Sequence, residues 1–166
     1  WSYYRLGSLS HNVPILGNKN QYELAKATFS STALNVSEPN AILDLSQAYR
    51  DYSSKSTRKI SLVNNRKDVV IEDDFVIKSA TEVAWGMTTD QSIEILPSGK
   101  AILRNATITT KTLEAEIISP AGAKFTIESA SKSAPEKLNT GTQRLMVRIA
   151  NQIGNVKLQI KLSPKG

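Results

Sequence analysis

The chain is 166 residues long with 21 Lys+Arg against 15 Asp+Glu, a net charge of +6, which is room for one domain around one core. It contains no cysteine and one histidine, His11, and this excludes a disulfide framework, a thiolate metal site and a zinc site built on several histidines. With 40% hydrophobic and 22% charged residues the composition is globular, and no apolar run approaches the ~20 residues that a membrane-spanning helix needs.

The first residues, Trp1-Ser-Tyr-Tyr4, crowd three aromatic rings into a terminus that must pack them somewhere. The start reads as the middle of a longer chain, and the sequence itself contains no targeting signal. Leu9-Ser-His-Asn-Val-Pro14 follows as an extended segment. Over residues 40–52, Asn40 can cap while Ile42, Leu45, Ala48, Tyr49 and Tyr52 recur at three and four, so a short helical excursion is expected.

From residue 56 onward the pattern is one of strands. Ile60 and Leu62 alternate with Lys59 and Ser61, Val69 and Ile71 lie on one face of 68–72, and Phe75 and Ile77 do the same over 74–78. Asn64-Asn65 is turn chemistry between the first two runs, because asparagine tolerates a left-handed backbone. Further β-branched runs cover 82–88, 92–96, 100–104, 107–109, 112–118, 124–128, 144–149 and 156–162. Pro97-Ser-Gly99 turns between two of them, and 131–141 is a loop. In the last run Val156, Leu158, Ile160 and Leu162 alternate with Lys157, Gln159 and Lys161, the mark of an antiparallel strand with one wet face. About ten such runs predict an all-β, antiparallel β-sandwich filling 1–166 as one domain, with Ile60, Leu62, Val69, Ile71, Phe75, Leu158 and Ile160 in its core.

The basic balance favours an anionic partner: nucleic acid, acidic lipid or acidic polysaccharide. Aromatics make up only 6% and no basic stripe carries stacking rings, which speaks against nucleic acid. No basic amphipathic helix suits a membrane surface. Acidic polysaccharide remains, beside a basic surface that serves solubility alone.

Few residues offer chemistry. His11 is the one imidazole, and a single imidazole cannot hold a metal ion. Glu72-Asp73-Asp74 lacks the ligand spacing of a calcium loop and reads as a solvated bend between two strands. Arg58-Lys59 and Arg66-Lys67 read as charged strand edges that deter aggregation. Trp85 sits in an alternating run as a core anchor. Asn35-Val-Ser37 and Asn105-Ala-Thr107 match the glycosylation sequon, which carries little information alone. No catalytic constellation is complete.

Several segments, in order, resemble the C-terminal β-sandwich of the heparinase II/III-like polysaccharide lyases. They are Tyr4 to Gln21 with its His11-Asn12 pair, Leu43-Asp-Leu-Ser-Gln-Ala-Tyr49, the hairpin from Arg58 to Phe75, Trp85-Gly-Met-Thr-Thr89, Ala101-Ile-Leu-Arg104 and Ile118 to Phe125. The resemblance implies a longer, periplasmic or secreted bacterial enzyme whose helical toroid precedes this sandwich. Its substrate would be a heparin- or heparan-sulfate-like, uronate-containing polysaccharide, cleaved by β-elimination, and the fragment alone would be inactive. It implies that His11 ligates a divalent metal, zinc or calcium, in the intact enzyme, with further ligands from outside the fragment. Asn12 would support the imidazole from behind. The chain departs from the family pattern at Thr88, where relatives often carry histidine, and at Val13, where a hydroxyl residue is common. The alternative is a non-catalytic carbohydrate-binding or structural β-sandwich module.

Overall fold

Alternating apolar residues produce ten strands in the computed structural model, which describes residues 3–166; Trp1 lies outside them. In chain order they are β1 (Ile15–Leu16), β2 (Thr28–Ala33), β3 (Asn40–Asp44), β4 (Ser53–Val63), β5 (Asp68–Thr89), β6 (Ser92–Leu96), β7 (Lys100–Arg104), β8 (Thr112–Ser119), β9 (Phe125–Ser129) and β10 (Gln143–Lys165). All pairings are antiparallel. The turns match their sequence signals. Asn64 and Asn65 take positive φ between β4 and β5, and Ser98 and Gly99 do so between β6 and β7.

Two strands are much longer than the sequence pattern suggested. β5 unites three predicted runs and β10 unites two. Along its first half β5 lies between β4 and β10, in the order β2-β3-β4-β5-β10-β8-β7-β6. Along its second half β1 occupies the flank opposite Val83 and Ala84, and β9 flanks β10 on the far side. The long pair therefore belongs to both layers of the sandwich. Between the halves β10 shifts register from Ile149 to Gly154, where Asn151 and Gly154 take the left-handed backbone that such an irregularity needs. The inward set accordingly changes from Leu145 and Val147 to Val156, Leu158 and Ile160.

One core joins the layers. Phe75, Leu103, Leu158 and Ile160 share a cluster with Trp85, Phe125, Leu145 and Val147. The Trp85 and Phe125 rings lie 6.5 Å apart at 58°, so Trp85 anchors the core as its alternating run implied. Outside, Lys157 bonds Glu72 at 3.0 Å and Asp74 at 3.4 Å, and Lys161 bonds Glu116 at 2.7 Å.

Four expectations change. Residues 107–109 form no strand: the N–H groups of Thr107 and Ile108 turn back onto Asn105 Oδ1, so the segment is part of the β7–β8 connection. Residues 40–44 are strand β3, and the helical spacing over 45–52 serves hydrogen-bonded turns, with Ala48 N–H on the Leu45 carbonyl and Tyr52 N–H on that of Tyr49. Of the predicted core, Phe75, Leu158 and Ile160 are buried, whereas Ile60 is 39% exposed and Leu62, Val69 and Ile71 are only half-buried. Alternation identifies the inward face of a strand without saying how far the opposing layer covers it. Glu72-Asp73-Asp74 is no bend; it lies within β5, and Asp73 is buried.

Candidate functional site

The segment bearing His11 is irregular: 3-10 turns at Tyr4–Leu6 and Ser8–Ser10 lead through extended backbone at His11 into β1. Backbone carbonyls outside a ladder must find donors when they pack against protein. Here the sheet's side chains supply them. Arg144 donates through Nη1 to the Leu9 carbonyl and through Nη2 to that of His11 at 3.0 Å. Thr88 Oγ1 donates to the Ser10 carbonyl at 2.8 Å, Arg58 Nη1 to Asn12 at 2.6 Å, and the Tyr49 hydroxyl to Pro14. The Asn12 side chain adds a sixth link, its Oδ1 accepting from the Thr88 N–H at 2.8 Å. Leu9 and Ile15 pack on Ala84 and Met146 beneath. Residues 9–14 thus form a strap bound to β4, β5, β10 and the turn after β3.

Arg144 reaches the strap because Gly86 has no side chain. A Cβ at Gly86 would lie 2.5 Å from Met146 Sδ and 2.6 Å from Arg144 Nη2, closer than real contacts allow. Gly86 is needed for this close approach, which explains the glycine inside the apolar run Trp85-Gly-Met87.

Arg58 holds the strap with one nitrogen and a buried carboxylate with two others. Its Nε and Nη2 donate to Asp73 Oδ1 and Oδ2 at 2.6 and 2.7 Å, a fork-to-fork pair. The side chains are 11% and 1% exposed. Burial pushes the Asp73 carboxyl up, and the two hydrogen bonds and charge of Arg58 pull against it. Burial likewise raises the Tyr49 hydroxyl, which keeps it protonated as the donor to Pro14 while it accepts from Gln21 Nε2 at 2.8 Å. The reading of Arg58 as a solvated strand edge is therefore corrected.

His11 is exposed. Its N–H donates to the Ser8 carbonyl at 3.0 Å and its own carbonyl is held by Arg144, so the backbone is fixed on both sides of the ring. The imidazole has no hydrogen-bond partner among the described residues. Asn12 links the strap to Thr88 through its side chain, and Thr88 answers with two hydrogen bonds. Among the described residues no group of three or more His, Asp or Glu converges. One imidazole does not make a metal site, so the donor set of this chain does not fit a zinc or calcium ion.

Sequence reasoning missed Arg58, Asp73, Arg144, Tyr49 and Gly86. A signal for the first pair existed. Read as one strand, Val69, Ile71, Asp73, Phe75 and Ile77 share one face, which places a carboxylate among apolar neighbours and demands a cation. Arg58 occupies the matching face of β4 directly across the ladder.

No family model matches the sequence, and no curated protein matches it significantly. Solved structures do match. A heparan sulfate lyase, HepC from Pedobacter heparinus, aligns over 96% of this chain at 11% identity with a TM-score of 0.77. A structure of heparinase III aligns over 96% at 12% identity and 0.73, and a further heparinase III gene product over 95% at 14% identity and 0.71. In each case the chain spans 24% of the other protein's length. At these identities the likeness is one of fold: the chain has the architecture of a β domain that makes up about a quarter of the heparinase III-type lyases.

Proposed function

We propose that this chain is the β-sandwich part of a lyase that cleaves a uronate-containing polysaccharide of the heparin and heparan sulfate type by β-elimination, and that it contributes His11 to the cleft. The observation that carries the reading is the strap. Five backbone carbonyls bound by side chains fix the backbone that presents one exposed imidazole, on a fold shared with a heparan sulfate lyase. Preorganisation of that kind is what a reacting group needs and what a passive surface does not.

β-Elimination calls for a group that neutralises the uronate carboxylate, a base for the C5 proton and an acid for the leaving oxygen. His11 suits the proton transfers or the carboxylate contact. The remaining groups, and the ligands any zinc or calcium ion would require, come from the rest of a longer protein, whose helical toroid is the partner of this domain. A polysaccharide substrate places that protein in the periplasm or outside the cell.

The test uses the full-length protein with heparin, heparan sulfate, alginate and hyaluronan, following the ultraviolet absorbance of unsaturated uronate. His11→Ala should lower turnover by about a hundredfold or more with an unchanged melting temperature, and the 166-residue chain alone should be inactive. Full turnover in His11→Ala, or no unsaturated product from any substrate, would replace this reading with a non-catalytic carbohydrate-binding or structural sandwich.

A further inference from the structure

Beside the strap lies a pocket of about 280 Å³, lined by Asn12, Met87, Gln91, Leu103, Asn105 and Lys111 among others and by no aspartate or glutamate. Its polar atoms are mostly donors left over from other bonds. Asn12 Oδ1 is taken by Thr88, which leaves the Asn12 NH2 free. Asn105 Oδ1 accepts from the N–H groups of Thr107 and Ile108, which leaves the Asn105 NH2 free. The Lys111 ammonium forms no ion pair among the described residues. One acceptor stands against them: Gln91 Oε1 is buried with no hydrogen-bond partner, while the other end of that amide is held by Asp90. A buried acceptor without a donor is costly, so a group that donates to it gains more than an ordinary surface hydrogen bond would give.

The complement of this lining is a small ring with an anionic substituent for the three donors, a hydroxyl for Gln91 and an apolar face for Met87 and Leu103. At about 280 Å³ the pocket lies just under the small end of the range for ligand pockets, about 300–1,000 Å³, so its size admits no more than a single sugar unit. The larger hollow around Lys55, Asp74 and Lys157, about 400 Å³, is less suited to an anion, because it contains Asp74 and because Lys157 is already engaged by Glu72 and Asp74. We propose that the pocket between the strap and Lys111 is a subsite for one acidic sugar unit, its carboxylate or sulfate on Lys111, Asn105 and Asn12 and a hydroxyl on Gln91. This rests on the acidic-polysaccharide reading above and adds the place on this chain where the chain of sugars is gripped.

The probe is a heparosan tetrasaccharide, which alternates glucuronate with N-acetylglucosamine, with neutral chitotetraose as control, titrated into the isotopically labelled 166-residue chain. Heparosan should shift the amide signals of Gln91, Asn105 and Lys111, and chitotetraose should not. Lys111→Ala, a change at an exposed residue, should weaken binding about tenfold, the loss of one charge-assisted contact. Gln91→Glu, which sets a negative charge against the sugar acid, should abolish it. Equal shifts with chitotetraose, no shifts with heparosan, or unchanged affinity in Lys111→Ala would each overturn the subsite. The underlying reading is judged separately: if the full-length protein still forms unsaturated uronate and Lys111→Ala leaves its KM unchanged, the subsite falls and the lyase stands.

Discussion

Replacing Arg58 by Met removes the only partner, among the described residues, of a carboxylate whose side chain is 1% exposed. Two charge-assisted hydrogen bonds, at 2.6 and 2.7 Å, disappear together, and breaking a buried pair from one side costs about 3–5 kcal/mol. Removing both charges in Arg58→Met/Asp73→Leu should cost far less, about 1–2 kcal/mol, mostly for the Asn12 carbonyl that loses its donor. The double variant should then be about 2–3 kcal/mol more stable than Arg58→Met alone, and a double-mutant cycle completed with Asp73→Leu, read by urea unfolding followed by circular dichroism, should show the two changes to be strongly non-additive. The single variant should also show a steeper pH response. Burial already holds the folded Asp73 carboxyl above its ordinary value, and without Arg58 it rises further, so the folded state binds more protons and the deficit shrinks as pH falls. Additive single effects, or a cost for Arg58→Met below about 1 kcal/mol, would refute the picture of a buried, mutually dependent pair.

Three further outcomes follow from the same geometry. Gly86→Ala should cost about 1–3 kcal/mol by overpacking and, because Arg144 must swing away, should speed amide hydrogen exchange at His11 more than in the β6–β7 hairpin. Leu158→Ala should cost about 2–5 kcal/mol and Ile60→Ala distinctly less, in chemical denaturation, since the first is enclosed and the second is not. Acid should weaken the fold in a defined window. Arg148 holds Glu128, and Lys161 holds Glu116, below the usual carboxylate value of 4.5. The unfolded chain therefore takes up protons first, and this stabilisation is present above that value and lost as pH falls through the depressed folded values. Arg148→Met should flatten the Glu128 part of that acid limb, as read from melting temperature against pH.

The strands were legible because one face of each is wet and the other dry: Val156 to Leu162 declares its register residue by residue. Lengths were less so. The run from Asp68 to Thr89 was divided at Asp73, where a charge interrupts the apolar alternation, and again at Ser79-Ala80-Thr81, where small and polar residues do. The first interruption turns out to be an inward-facing part of the site, a carboxylate held by Arg58, and the glycine inside the next run, Gly86, is a gap for Arg144. A local pattern cannot announce partners that lie across a ladder or on the far end of the chain. His11 stood out by being alone among its kind, yet the groups that fix it are drawn from β4, β5, β10 and the turn after β3, and only the folded chain brings them together.

The sharing of β5 and β10 by both layers bears on how the chain reaches this state. The first point at which the two strands meet, Thr89 with Gln143, already encloses β6, β7, β8 and β9. Local hairpins such as β4–β5 and β6–β7 can close early at small loop entropy, but the central pair must wait for a long loop to be gathered. High contact order of this kind belongs to folding on the millisecond-to-second scale, slower than helical bundles of similar size. Once formed, the spine leaves neither layer able to open alone, because each draws its middle strands from the same two stretches of chain. Unfolding should then be a single event in which the core and the strap over it are lost together.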